Sequence, residues 1–439
     1  MLRVRNPGHS HRWSVESLLS DTLPLVSDAG DLDPTDAVGG LPSERSGTRL
    51  GIAALLYMVG VTLIITLLPF QFSWPDQWRV MTTGNAIDVA ANVLLFVPLG
   101  VLFRIATGLS RRHAVMGALA AGVLVSMVIE ALQLFEAERY SSVLDVAANG
   151  LGALIGAIVC DRAFRRQRPD VTVIGRLFLE LPLMGLLYLT FPLIWLTALV
   201  SVAAPQWAWL SIPLAAFGGS LLGGVLHHVR SAVPPQRAGA FAAAAIVIGM
   251  LPALSRAPLA IAIGASVAFL TTRLVATRQE RSPMWNRRFE VPVLRASAPF
   301  YAMFLVLMVA LSLADGVAPW SLGAGFPGTA QSWDKVEILR FLVRVAAFTL
   351  LGYMIAEYRG REEQRLANAV PRVLRWTVAA ATAAEIALGY RAGRGASVAQ
   401  WGFVISAALY GGWLYRLQLE HVIAVSRETR DPRPIPRDL

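Results

Sequence analysis

The chain has 439 residues, 55% hydrophobic and only 15% charged, with a mean hydropathy of +0.54. A soluble domain carries about 25% charged residues, and here the apolar residues gather in blocks of about 20, the length a helix needs to cross a ~30 Å hydrocarbon layer. This excludes a soluble enzyme or binding module, and the net charge of +10 does not point to nucleic acid, because the arginines sit in short segments between apolar blocks, where membrane topology places them.

Residues 1–49 hold no long apolar run, so no cleavable signal peptide is expected; rich in Ser, Asp, Gly and Pro, they read as a flexible polar tail. Apolar blocks follow near 50–70, 88–106, 114–135, 143–163, 177–201, 206–227, 238–255, 257–276, 299–316, 336–358, 372–390 and 397–418. The expected fold class is therefore all-α, a polytopic membrane bundle of about 12 transmembrane helices. The pair meeting at Ser255–Ala257 also reads as one broken hairpin, which would leave ten spans. Alternate loops carry 21 Lys and Arg on one side against 6 on the other, so the positive-inside rule puts both termini in the cytoplasm. An even span number requires the same. The expected divisions are a four-helix domain over 50–165, central helices over 177–276, a further group over 299–418 and a cytoplasmic tail over 419–439. The lone Cys160 allows no intramolecular disulfide and has no partners for a cysteine metal site.

Charged groups inside spans are expensive and mark functional candidates. The second span opens with Asp88 and Asn92, four apart and so on one helix face. The third ends with Glu130 and Gln133, three apart, and the fourth opens with Asp145 and Asn149. Arg139 lies in the short loop between the third and fourth. In the orientation above all seven groups meet at the extracytoplasmic end. Crowded carboxylates at low dielectric do not all stay ionised, which suits acid/base work with Glu130, Asp145 or Asp88, or ligand binding by Asn92, Gln133, Arg139 and Asn149. The alternative is that these groups only tie helices together by hydrogen bonds. No histidine or cysteine stands near them, so Ser/His or Cys/His catalysis has no support, and no cofactor or metal is assigned. Gly152 and Gly156 give a close-approach spacing on the fourth span, and Pro98 with Gly100 is expected to bend the second.

These segments carry a family resemblance. Asp88-Val-Ala-Ala-Asn92-Val-Leu-Leu-Phe96-Val-Pro98-Leu-Gly100, then Glu130-Ala-Leu-Gln133, then Arg139-Tyr-Ser-Ser-Val-Leu-Asp145-Val-Ala-Ala-Asn149-Gly-Leu-Gly152, resemble in order and spacing the signatures of the VanZ-like membrane family over roughly 50–165. The namesake of that family is an accessory protein of glycopeptide resistance, associated with reduced sensitivity to teicoplanin. The resemblance implies a bacterial inner-membrane protein connected with the cell envelope. It implies no reaction, and the small members of the family have about four or five spans against about twelve here.

The final four spans read as a degenerate second copy. Glu385 to Arg394 repeats the spacing of Glu130 to Arg139, Ser397 falls where Ser142 does, and Gln400 takes the place of Asp145. With a three-residue change of offset, Phe348 and Gly352 match Phe96 and Gly100, while Arg340 and Arg344 replace Asp88 and Asn92. Two readings follow: the copies face each other and neutralise charge, or Arg340, Arg344 and Arg394 bind an anion such as a lipid-linked phosphate, whose geometry arginine forks match. In the central helices Glu180, His227 and His228 read as interfacial side chains.

Three functions are carried forward. The leading one is an extracytoplasmic polar pocket that binds or modifies a cell-envelope component. The others are a transporter or flippase of an envelope lipid intermediate, and a non-catalytic assembly partner. The expected partners are the lipid bilayer and a lipid-linked envelope intermediate, with no nucleic acid.

Overall fold

The computed structural model describes residues 42–67, 74, 80–81, 86–107, 109–136, 141–165, 182–229, 234–280, 290–323, 335–360 and 369–430, and Pro42–Leu439 forms one compact unit. Among the described residues there are twelve α-helices: α1 Pro42–Thr66, α2 Ala86–Ala106, α3 Arg111–Gln133, α4 Val143–Arg165, α5 Pro182–Ala203, α6 Ser211–Val229, α7 Pro235–Gly249, α8 Pro258–Glu280, α9 Glu290–Leu313, α10 Lys335–Gly360, α11 Ala369–Leu388 and α12 Val398–Arg430. Eight of these segments are long and apolar enough to cross a membrane; α2, α7, α11 and α12 fall outside that group. The all-helical polytopic bundle follows from the block lengths, because in hydrocarbon a spanning backbone must satisfy its own hydrogen bonds.

Several expected boundaries shift. The start of α1 takes in Pro42–Arg49, which the composition assigns to the tail; residues 1–41 lie outside the described ones. The block at 206–227 is a 3-10 turn, Pro205–Leu210, running into α6. The pair around Ser255–Ala257 is two helices: α7 opens with proline at its first position, α8 starts at Pro258, and a 3-10 turn, Leu251–Ala253, lies between them. Proline suits a helix start because it has no N–H to leave unpaired. α12 runs on to Arg430, so the first part of the expected C-terminal tail is helical.

Two thirds or more of the membrane-crossing windows of α5, α6 and α10 are buried, against 44% or less in the other five, so these three form the centre of the bundle. Trp207, Phe217, Tyr301 and Phe304 are fully buried there. The rings of Phe217 and Tyr301 stand 5.0 Å apart, and the Tyr301 hydroxyl donates to the Ala347 carbonyl at 2.5 Å, tying α9 to α10.

On the flank, α2 and α4 meet backbone to backbone. A Cβ built on Gly100 would stand 1.9 Å from the Ala153 oxygen, one on Gly152 2.2 Å from the Val93 oxygen, and one on Gly156 2.1 Å from the Val97 oxygen. Gly100 therefore serves close packing, on a helix that continues through Pro98. α10 and α12 meet in the same way, with Gly352 against the Ala408 oxygen and Gly411 against the Thr349 oxygen.

Two pairs of two-residue parallel strands complete the described architecture. β1 Val80–Met81 pairs with β2 Ser141–Ser142, and β3 Leu322–Gly323 with β4 Ala396–Ser397. β2 leads directly into α4 and β4 into α12. Gly395, just before β4, has φ +71, a backbone conformation that side chains rarely adopt.

Candidate functional site

The α3–α4 turn is organised around one carboxylate. Glu130, 6% exposed on the last turn of α3, accepts the Ser142 backbone N–H at 2.6 Å. Ser142 in turn caps α4, its hydroxyl accepting the Asp145 N–H at 3.3 Å. A serine that caps a helix, followed three residues on by an acid, is a capping-box pattern. It is visible in the sequence as Ser142-Val-Leu-Asp145, but the Ser142 N–H that the acid of such a box would accept goes to Glu130 instead. Further down the seam the Asn149 side-chain amide donates to Ser126 Oγ at 2.8 Å. Gln133 reaches α1, donating to the Thr66 carbonyl at 2.8 Å. Glu130, Gln133 and Asn149 are thus buried and make bonds that hold α1, α3 and α4 together, while the Asn149 side-chain oxygen has no hydrogen-bond partner among the described residues.

The other predicted groups are placed differently. Asp88 is exposed at the start of α2 and Asn92 is half-buried one turn on. Asp145 is half-buried. Arg139 and Glu180 lie outside the described residues, as do the side chains of His227 and His228.

The α11–α12 turn repeats the backbone geometry with other chemistry around it. Glu385 accepts the Ser397 N–H at 3.0 Å, and Ser397 Oγ accepts the Gln400 N–H at 3.2 Å. Arg344 donates to Glu385 at 3.1 Å and also to Gln400. Arg340 pairs with Asp315 at 2.5 Å and Glu337 at 2.8 Å. Its guanidinium carbon stands 5.1 Å from the Trp207 ring centroid. Arg391 pairs with Asp315 at 2.9 Å and Glu337 at 2.5 Å, and Arg394 pairs with Glu337. Burial pulls the Arg394 guanidinium down to about 10, which leaves it charged at neutral pH. Four guanidinium groups therefore meet three carboxylates, Asp315, Glu337 and Glu385. These acids stand just beyond α9, in α10 and in α11, and they supply the neutralisation that the sequence reading assigns to the acidic helices α2–α4.

Asp315 and Glu337 do not stand out in the sequence because they lie at the very margins of the apolar blocks 299–316 and 336–358. Glu136, 4% exposed just past α3, is missed for the same reason. The residue that follows α11 at the same distance is Arg391.

Both turns lie at the same end of the bundle. Gly47 abuts the His421 ring and Tyr57 stacks on Tyr410 with ring centroids 6.1 Å apart, so α1 runs antiparallel to α12. The end of α1 then lies beside the start of α12, and Gln133 binds that end of α1. At the opposite end of α2 and α4, Arg104 and Asp161 form a buried pair at 2.8 Å, with Arg111 at 3.3 Å from the same carboxylate. Among the described residues no group of three or more His, Cys, Asp or Glu is placed to hold a metal ion.

Residues 43–166 match the model of the VanZ/LLP1 family. The match covers α1 to α4, the helices that carry the family resemblance read from the sequence. No curated protein and no solved structure matches the chain.

Proposed function

We propose that this VanZ-like membrane protein lies in the bacterial inner membrane with both termini cytoplasmic, and that the outer end of α1–α4 binds a polar component of the cell envelope. The supporting observation is the contrast between two turns with the same cap. Around Glu385 the space is taken up by arginines held in ion pairs. The matching positions on α2 carry the short side chains of Asp88, exposed, and Asn92, half-buried. A ligand rich in donors, an ammonium group or sugar hydroxyls, complements acceptors of this kind. Glu130 acts as a positioning residue, because its carboxylate already accepts the Ser142 N–H. The reading is of binding rather than turnover.

The same comparison supports a duplication in which α9–α12 is a second copy of α1–α4. Glu130 and Glu385, Ser142 and Ser397, Gly100 and Gly352, and Gly156 and Gly411 occupy equivalent contacts. The assembly-partner reading draws on a different observation, that Glu130, Gln133 and Asn149 all tie helices together. The transport reading calls for charge at mid-depth, whereas the polar groups of both turns gather at one end.

The test uses the full chain in lipid nanodiscs and, as probe, a polyprenyl-diphosphate-linked disaccharide-peptide with a free amine. Asp88→Asn with Asp145→Asn is expected to weaken binding at least tenfold while the melting temperature stays unchanged. Unchanged affinity would favour the assembly partner. In cells, expression of the chain is expected to lower teicoplanin sensitivity, and the double variant to lose that effect.

A further inference from the structure

A groove of about 620 Å³ opens between α9, α10 and α11. It lies at the ends of α10 and α11 remote from the Arg344–Glu385 pair: Tyr358 is 14 residues beyond Arg344, about 21 Å at 1.5 Å per residue. Its walls and its mouth differ in chemistry. Leu294, Ala298 and Met354 line it with apolar surface, while the half-buried Arg372 and the exposed Tyr358, Arg375 and Trp376 bring its lining to the surface. Arg295 adds a third cation behind Tyr358, donating to its hydroxyl at 3.2 Å with the guanidinium carbon 5.9 Å from the ring centroid. Glu357, the neighbour of Tyr358, is buried and does not line the groove.

We propose that this groove binds an anionic glycerophospholipid from the leaflet on that side of the membrane, its phosphate at Arg372 and Arg375 and an acyl chain along Ala298 and Met354. Three features support this. Tyrosine and tryptophan gather where the headgroup region begins, and this groove has one of each at its mouth. Basic pockets between transmembrane helices take anionic headgroups. A guanidinium binds phosphate oxygens through two parallel hydrogen bonds, and two such groups here share one opening. A soluble anion would use the arginines and leave the apolar wall unfilled; an uncharged lipid would fill the wall and gain nothing from the positive charge. The site is separate from the α1–α4 end and does not rest on the function proposed there.

The experiment is native mass spectrometry of the full chain released from dodecylmaltoside, titrated with phosphatidylglycerol or phosphatidylcholine. Phosphatidylglycerol is expected to give one retained adduct with at least tenfold preference over phosphatidylcholine. Arg375→Gln, which changes an exposed side chain, should lower that occupancy at least fivefold. Ala298→Phe should do the same by filling the wall while keeping every charge. Arg416→Gln, an exposed arginine on α12 paired with Glu420, should leave it unchanged. Equal binding of the two lipids overturns the proposal, as does an equal loss in Arg416→Gln. So does full competition by glycerol phosphate, which has no acyl chain.

Discussion

Gly100→Ala tests how α2 and α4 are held. Ordinary carbon-to-oxygen contacts begin near 3.3 Å, whereas the added Cβ would stand 1.9 Å from the Ala153 oxygen and 2.7 Å from its carbonyl carbon. The helices must therefore part by about 1.4 Å at this point to restore a normal contact. The obstruction is backbone inside α4 and cannot rotate aside as a side chain would. Parting the seam also opens the Gly152–Val93 and Gly156–Val97 approaches, each worth about 0.5–1 kcal/mol if counted as a weak Cα–H to oxygen bond. Adding about 1–3 kcal/mol for overpacking and returning about 1 kcal/mol of helix propensity for alanine over glycine leaves a net loss of about 2 kcal/mol. That lowers the folded-to-unfolded ratio about 30-fold. Reversible unfolding in mixed detergent micelles, titrated with SDS, reads this directly. Gly60→Ala and Gly402→Ala are matched controls, since nothing lies within 4 Å of a Cβ at either position, and both are expected to be neutral or slightly stabilising. Gly352→Ala, against the Ala408 oxygen, should lose as much as Gly100→Ala. If Gly100→Ala behaves like Gly402→Ala, the backbone seam does not hold these helices together and the reasoning is wrong.

Glu385→Gln removes the carboxylate from the buried Arg344 and should cost about 3–5 kcal/mol, most of it recovered in the double variant Arg344→Met with Glu385→Gln; additive losses in that cycle would show that the two groups are not coupled. Asp161→Asn strands the buried Arg104, 7% exposed, and is expected to cost about 3 kcal/mol. Glu420→Gln breaks an exposed pair with Arg416, and denaturant titration should show a loss of about 0.5 kcal/mol or less; similar losses in these two variants would remove burial as the deciding factor.

Most of the helical architecture is legible in the sequence, because a membrane sets a minimum length for an apolar run and that length stands out from background. The boundaries that shift are those where apolarity continues through a change of backbone, as in the 3-10 turn Pro205–Leu210 before α6. Hydropathy does not distinguish a 3-10 turn from an α-helix. The polar pairs at helical spacing point to the right helix ends, and Glu130, Ser142 and Asp145 do meet at one turn. What periodicity leaves open is how each group is spent. A carboxylate that accepts a backbone N–H and one that awaits a ligand have the same spacing. The signals that separate them are local, namely Ser142-Val-Leu-Asp145 and Ser397-Val-Ala-Gln400 read as helix caps. The partners of the arginines escape for another reason. Asp315 and Glu337 sit at the margins of apolar blocks, where a charge costs nothing in the membrane and draws no attention.

The two turns separate what a backbone requires from what its surroundings allow. In both, a glutamate accepts a buried N–H and a serine caps the next helix, because an amide left unpaired there costs about 1–3 kcal/mol. Around that fixed core the charges differ: Asp88 and Asn92 on α2 against Arg340 and Arg344 on α10, Glu136 after α3 against Arg391 after α11, Asp145 against Gln400. The arginine set is almost wholly buried and therefore needs Asp315, Glu337 and Glu385 as partners, since an uncompensated buried charge is strongly destabilising. Those ion pairs tie α10 and α11 to the segments that follow α9 and α11 at that turn. Asp88 is exposed and carries no such requirement. On the proposed duplication, the second copy spends its charged groups on holding the bundle together, whereas the first leaves Asp88 exposed, which is where the proposed ligand would bind.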